Sequence, residues 1–313
     1  MTSTKWRRLI VAVPFLLIAA ACGGDDSGTD GTVDAAPTSD VTDAPTDSAA
    51  GDGAPSRIVS LSPTHTEMLF ALGAETQVIA VDSLSNYPPE AEAVRTDLSA
   101  YEPNVEAISA FEPDLVVIAD DFTGLTEQLD AIGIPVWEGL APASLDDVYE
   151  QIADLGMRIG RIDEAAEVVG MMRSAVETIL GQSPGLDLGL TYYHELDDTY
   201  YSVTSNTFVG GLYSLFGLRN IADVSEGTSD YPQLSAEFIV SQDPDLVFLA
   251  DTVCCGVTAE SVGARPGWGE LSAVRNGLVF EMNDDLASRW GPRIVDYLWA
   301  ISEALETAVA VAS

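Results

Sequence analysis

Ile108-Ser-Ala-Phe-Glu-Pro-Asp-Leu-Val-Val-Ile-Ala-Asp120 returns 131 residues later as Ile239-Val-Ser-Gln-Asp-Pro-Asp-Leu-Val-Phe-Leu-Ala-Asp251, with seven of thirteen positions identical. In each copy a proline ends a helix, because its ring removes a donor and pushes the preceding residue out of the helical region. A run of apolar residues without alternation follows, as in a strand covered on both faces. The spacing far exceeds the roughly 20–50 residues of a solenoid repeat. The chain therefore reads as two similar α/β lobes, and a cleft between lobes is where a small ligand binds.

At the amino end, Lys5, Arg7 and Arg8 precede an apolar run from Leu9 to Ala21 and then Cys22. Residues 1–21 have the layout of a signal peptide, and the run is short for a transmembrane span. The ending Ile18-Ala-Ala-Ala-Cys22 resembles a bacterial lipobox, with Ala19 where leucine is usual, so Cys22 is expected to become the lipidated first residue. Plain secretory cleavage would instead leave an unpaired thiol there. Residues 23–55 are mostly Gly, Asp, Ser, Thr, Ala and Pro, with no aromatic and no basic residue. Such a segment cannot bury enough apolar surface to offset its ordering entropy. Residues 22–55 thus read as a membrane tether.

The 258 residues from Ser56 to Ser313 suffice for two lobes. They divide into an N-terminal lobe (56–142), a helical connector (143–183) and a C-terminal lobe (184–313). The net charge is −37, and removing the signal peptide takes it to −40, which excludes nucleic acid as a partner and reads as a solvated surface. There are three cysteines and two histidines, and no Cys-x-x-Cys spacing, so a structural zinc site has no support. Cys254 and Cys255 are adjacent and read as a loop disulfide or as two free thiols.

Arg57 to Ser62 reads as the first strand, followed by a helix opening at Pro63. Thr64 and Glu67 have capping-box spacing, which makes Glu67 a helix-start device. Val78 to Val81 is the next strand, and Ile134 to Trp137 closes the lobe. Ser144 starts an amphipathic helix carrying Leu145, Val148, Ile152 and Leu155; Gly160-Arg-Ile-Asp163 interrupts it, and a second helix runs from Glu164 to Leu180. A helical connector restrains lobe motion more than a loop hinge does. The second lobe begins near Leu188 and includes a strand at Leu278 to Phe280. A final helix over Gly291 to Val309 places Ile294, Leu298, Ile301 and Leu305 on one face. The pairs Trp137-Glu138 and Phe280-Glu281 continue the echo at an offset of 143, which places a twelve-residue insertion between Cys254 and Gly267.

Ligands of α/β folds sit at the carboxyl ends of the strands. The loops there carry His65, Asn86-Tyr87, Tyr101 and Phe122 in lobe one, and Tyr231, Asp251, Asp285 and Arg289-Trp290 in lobe two. Basic residues are scarce, so Arg289 is a candidate ligand contact; the competing reading is a salt bridge to Asp284 or Asp285. Glu106 and Glu237 occupy matching places in the two copies, each following a capping residue (Asn104 or Ser235) in a first helical turn. The matched carboxylates could also face a two-fold partner.

Ile58-Val-Ser-Leu-Ser-Pro-Thr-His-Thr-Glu-Met-Leu-Phe-Ala-Leu-Gly73, Asn86-Tyr-Pro-Pro-Glu90, Asn104-Val-Glu-Ala-Ile108, Tyr231-Pro-Gln-Leu-Ser-Ala-Glu237 and Arg289-Trp-Gly-Pro-Arg-Ile294 resemble the class III substrate-binding proteins of ABC importers, of the vitamin B12 and siderophore type. The resemblance covers Ser56 to Leu305. It implies two Rossmann-like lobes joined by a long rigid backbone helix, with the ligand held between them. It also implies that Glu106 and Glu237 dock onto arginines of the permease. Ligand contacts would come from Tyr87, Tyr101, Tyr231 and an Asp285/Arg289 pair, with Tyr101 and Tyr231 standing where the family carries tryptophans.

The expected protein is a monomeric, extracytoplasmic lipoprotein that captures a metal chelate, a corrinoid or a ferric siderophore, and delivers it to an ABC permease and its ATPase. It would hold no cofactor or metal of its own, the metal arriving inside the chelate. A ligand sensor or adhesin on the same fold, without an importer, is the alternative. An enzyme lacks support: the chain has no His-Glu-x-x-His and no phosphate-binding glycine loop.

Overall fold

Both apolar runs of the repeat become inner strands of parallel four-stranded sheets. The structure is a computed structural model that describes residues 53–184, 188–225, 227 and 229–313; the signal peptide, Cys22 and the tether up to residue 52 lie outside the described residues. The first lobe runs β1 (Ile58–Ser60), α1 (Pro63–Ala71), β2 (Val78–Val81), α2 (Val105–Ser109), β3 (Leu115–Ile118), α3 (Leu125–Asp130) and β4 (Val136–Glu138). A helix pair, α4 (Leu145–Ile159) and α5 (Ile162–Gln182), leads to the second lobe. That lobe runs β5 (Thr191–Glu195), α6 (Phe208–Ser214), β6 (Arg219–Asn220), α7 (Ala236–Gln242), β7 (Leu246–Leu249), α8 (Thr252–Cys255), α9 (Ala259–Gly263), α10 (Ser272–Arg275), β8 (Val279–Glu281), α11 (Asp284–Ser288) and α12 (Ile294–Ala312). The sheet orders, β2-β1-β3-β4 and β6-β5-β7-β8, are the same topology built twice. The extra residues of the second lobe run from the end of α8 through α9.

Strand alternation explains why every residue of β3 and β7 is apolar. Leu115 and Val117 face a central core and Val116 and Ile118 an outer one, while Leu246 and Phe248 split from Val247 and Leu249 in the same way. The central core is continuous across both lobes, from Ile58 and Met68 through Ile152, Met172 and Val176 to Phe248, Leu298 and Ile301. Each such fully buried side chain contributes about 1.5–3 kcal/mol. The lobes therefore share apolar packing as well as a covalent connection.

The connector is the pair of helices that the sequence suggests, with α5 its 21-residue backbone helix. Ser144 and Asp147 form a capping box at the start of α4, and Gly160, at φ +74°, ends it in a left-handed cap. Gly156 lets α4 cross close to α5, since a Cβ there would come within 2.4 Å of that of Ala165. The terminal helix starts at Ile294, three residues later than the sequence pattern suggests.

One local expectation is overturned. Ser62, not Thr64, is the N-cap of α1, its side chain accepting from the His65 amide. Glu67 is consequently free of any capping duty and turns away from its own helix end.

Candidate functional site

The loops at the carboxyl ends of the two sheets meet, and a charged latch joins them. Glu67 of α1 accepts from Arg289 Nη1 at 2.8 Å and from Arg293 Nε and Nη2 at 2.9 and 2.5 Å. Arg289 also donates to Asn86 Oδ1 at 2.8 Å and Asp285 Oδ1 at 2.6 Å, and Asn86 Nδ2 donates to Asp285 Oδ2 at 2.9 Å. The side chains of Glu67 and Arg289 are only 2% and 9% exposed. A buried pair of this kind is strongly destabilising to break on one side, because the surviving charge is left without water or partner.

This arrangement places Arg289 in the salt bridge with Asp285 that competes with the ligand-contact reading. Both Arg289 Nη atoms and both carboxylate oxygens of Asp285 are engaged within the protein, so the pair fastens lobe to lobe. The salt-bridge alternative named the right kind of bond, but the additional partner, Glu67, lies 222 residues away in sequence.

His65 is also placed differently from a ligand contact. It has no exposed surface and packs edge-on against Trp137 and Trp290. Gln151 Nε2 donates to Leu140 O at 2.8 Å, which orients Gln151 Oε1 to accept from both Trp290 Nε1 at 2.8 Å and His65 Nε2 at 2.9 Å. Burial lowers the His65 pKa to about 4, against the opposing pull of the Gln151 bond. The imidazole is therefore neutral and buttresses the cleft from beneath.

Beside the latch lies a cavity of about 250 Å³ walled by Leu196, Phe208, Tyr231, Ala250, Arg289 and Trp290, with Ala141 and Pro142 from the first lobe's side. Tyr231 thus reaches the cavity as the sequence suggests. Tyr101 and Phe122 stand on loops after β2 and β3 and are 72% and 79% exposed, and Tyr231 is 57% exposed. Tyr87 is set apart: its ring lies 3.8 Å from the Arg293 guanidinium, in a separate depression with Phe70, Pro88 and Glu90. Asp284 accepts from the backbone N–H groups of Thr252, Val253 and Cys254, pinning α8 to the cavity wall. Cys254 and Cys255 are joined by a disulfide on that exposed helix.

Glu106 and Glu237 are both exposed in the first turns of α2 and α7, capped by Asn104 and Ser235 through bonds of 3.0 and 3.1 Å. Sequence reasoning missed Glu67, Gln151 and Phe208 as cleft-forming residues. Arg289 and Arg293, four residues apart in a chain poor in cations, were the available signal that a buried acid would be needed.

No helix among the described residues is long and apolar enough to cross a membrane. The family model described as periplasmic binding protein matches residues 58–286. The cobalamin-binding protein of Halobacterium salinarum is 34% identical over 267 residues, covering 81% of this chain and 70% of that protein. An uncharacterized ABC transporter substrate-binding lipoprotein of Bacillus subtilis is 29% identical, over 80% of each chain. The crystal structure of the periplasmic vitamin B12-binding protein of Vibrio cholerae superposes with a TM-score of 0.66 at 23% identity, covering 83% of this chain and 98% of that one.

Proposed function

Because the chain belongs to the periplasmic binding protein family, we propose that it is the extracytoplasmic receptor of an ABC importer and that its ligand is a corrinoid. The observation that carries the ligand class is the state of the cleft arginines. An acidic siderophore chelate calls for a free cation, yet Arg289 and Arg293 are both committed to Glu67. What the cavity offers is aromatic faces and a few polar groups: Phe208, Tyr231 and Trp290 line it, and Tyr101 and Phe122 stand exposed on the loops after β2 and β3. A macrocycle with a broad face and amide side arms matches that surface. The relative from Halobacterium salinarum, cobalamin-binding by name, supports the same choice.

The enclosed cavity is smaller than a corrinoid, so the ligand rests over it against the rim aromatics. Capture needs no covalent chemistry, only complementary surface between lobes that the latch and the shared core already hold in place. Such preorganisation limits the ordering cost of binding. Delivery would use Glu106 and Glu237 as symmetric contacts to permease arginines, with Cys22 carrying the lipid anchor.

Fluorescence titration of the purified chain with cyanocobalamin and with a ferric hydroxamate tests the ligand. Saturable binding of cyanocobalamin, weakened about tenfold or more by Tyr231→Ala, a loss of about 1.4 kcal/mol, is expected. Binding of the hydroxamate alone would reject the corrinoid reading. For docking, Glu106→Gln with Glu237→Gln should abolish uptake and leave affinity within a few-fold; unchanged uptake would reject the docking role.

A further inference from the structure

Asp251 closes the second copy of the repeat and Asp120 the first. Asp120 is exposed, whereas Asp251 has no exposed surface and neither of its carboxylate oxygens finds a hydrogen-bond partner among the described residues. The registers pair Ile58 with Leu115 and Tyr192 with Leu246, which makes Leu61 the counterpart of Glu195. Leu61 belongs to the outer apolar core of lobe one. Glu195 is fully buried, and Arg265 grips it with two bonds of 2.6 Å. The same fold thus accepts a leucine and a solvated acid at these two positions, so the strands do not require the buried charges of lobe two.

Such charges are costly unless balanced. Glu195 and Tyr193 face Asp251 from β5, Asp284 from the start of α11, and Arg265 is the one cation in the group. Arg265, which comes from the insertion that lobe one lacks, also lies 4.7 Å from the ring of Trp268 just beyond it. Burial first, and the Glu195 charge second, push the Asp251 pKa up to about 7 against the pull of Arg265.

We propose that Asp251, Glu195 and Arg265 form a proton-binding site that fastens the insertion of lobe two: with the proton on Asp251 the segment is held, and its loss sets two carboxylates against one guanidinium and loosens α8. Since Asp284 ties α8 to the cavity wall, the hold on ligand is tighter at pH 5 than at pH 8. That consequence rests on the cleft being the ligand site; the proton site itself does not.

The sign follows from linkage. Asp251 binds its proton more tightly folded than unfolded, so its contribution is fully present below about pH 4 and declines as the pH rises to about 7. The direct test is a carboxyl carbon-13 NMR titration of the ligand-free full chain labelled at aspartate, with Asp251→Asn for assignment. A resonance with a midpoint near 7 that disappears in the variant is expected; a midpoint near the ordinary value of about 4 would overturn the proposal. Should the variant fold poorly, the wild-type titration alone decides whether any aspartate titrates near 7. Hydrogen exchange then reads the loosening: opening of Thr252 to Val257 should rise by up to about tenfold per pH unit between 5 and 7. Exchange with no pH dependence beyond the intrinsic rate would reject the fastening role. Cyanocobalamin affinity that falls from pH 5 to 8 in wild type and not in Asp251→Asn supports the link to the cleft, and a flat profile in both refutes that link. Absence of any cyanocobalamin binding would count against the corrinoid reading and leave the proton site to be judged by the NMR.

Discussion

The two lobes share strand order and a repeated strand, yet they treat buried charge in opposite ways. Lobe one directs one of its two buried acids, Glu67, across to the arginines of lobe two, where it joins the halves of the molecule, and keeps the other, Asp82, to itself. Lobe two keeps Glu195 within itself, closed by an arginine from its own insertion. The strands, whose work is packing, have stayed alike, while the loops at their carboxyl ends have diverged. Charge is buried where something must be held in position: one lobe against the other, or the insertion against its sheet.

The largest effect should come from breaking the shared latch. Glu67→Gln leaves two guanidinium groups short of a counter-charge, and with Asp285 still holding Arg289 the loss should be about 3 kcal/mol, measured by urea unfolding. A loss comparable to that of an ordinary surface substitution would show that the latch does not hold the lobes.

A second contrast separates acid from alkaline behaviour. His65 in lobe one and His194 in lobe two are both buried neutral, with pKa values lowered to about 4 by burial. The unfolded chain takes up these protons from about pH 6.5 downward, so stability should fall as pH drops from about 6.5 to 4, by up to a factor of about ten per pH unit for each histidine. Asp251 acts in the opposite direction over much of this range, and only the difference between wild type and each variant isolates a single group. His65→Gln and His194→Gln should each flatten the acid limb of the unfolding profile; an unaltered limb would place the sensitivity elsewhere.

The smallest effect is expected at the exposed twin. Asp120→Asn should change stability by no more than about 0.5 kcal/mol, while Asp251→Asn gains on wild type as the pH rises from 5 to 7. Equal profiles for the two variants would erase the distinction between the lobes.

Much of the fold was legible because it rests on local signals. The proline after each acidic residue, the unbroken apolar runs, Ser144 before α4 and Gly160 after it act within a few residues of themselves. The repeat supplied the duplication, including the insertion. Strand β6 was not legible, since two residues carry no periodicity. The latch was not legible for a different reason: Glu67 sits at a spacing that local rules assign to a cap, and only the tertiary arrangement brings Arg289 and Arg293 to it. Burial likewise separates Asp251 from Asp120, which the sequence presents as equals. The exposed aromatics Tyr101 and Tyr231 and the capped positions of Glu106 and Glu237 could be placed from sequence because loop and cap chemistry decides them.

The central claim, that the cleft between the lobes holds one corrinoid, is tested most directly by native mass spectrometry of the full chain purified from its own source and then loaded with cyanocobalamin. One added cyanocobalamin per chain, lost in a Tyr101, Phe122 and Tyr231 triple alanine variant that remains folded, is the predicted result. A chain that stays ligand-free, or a complex that persists unchanged in the triple variant, would contradict it.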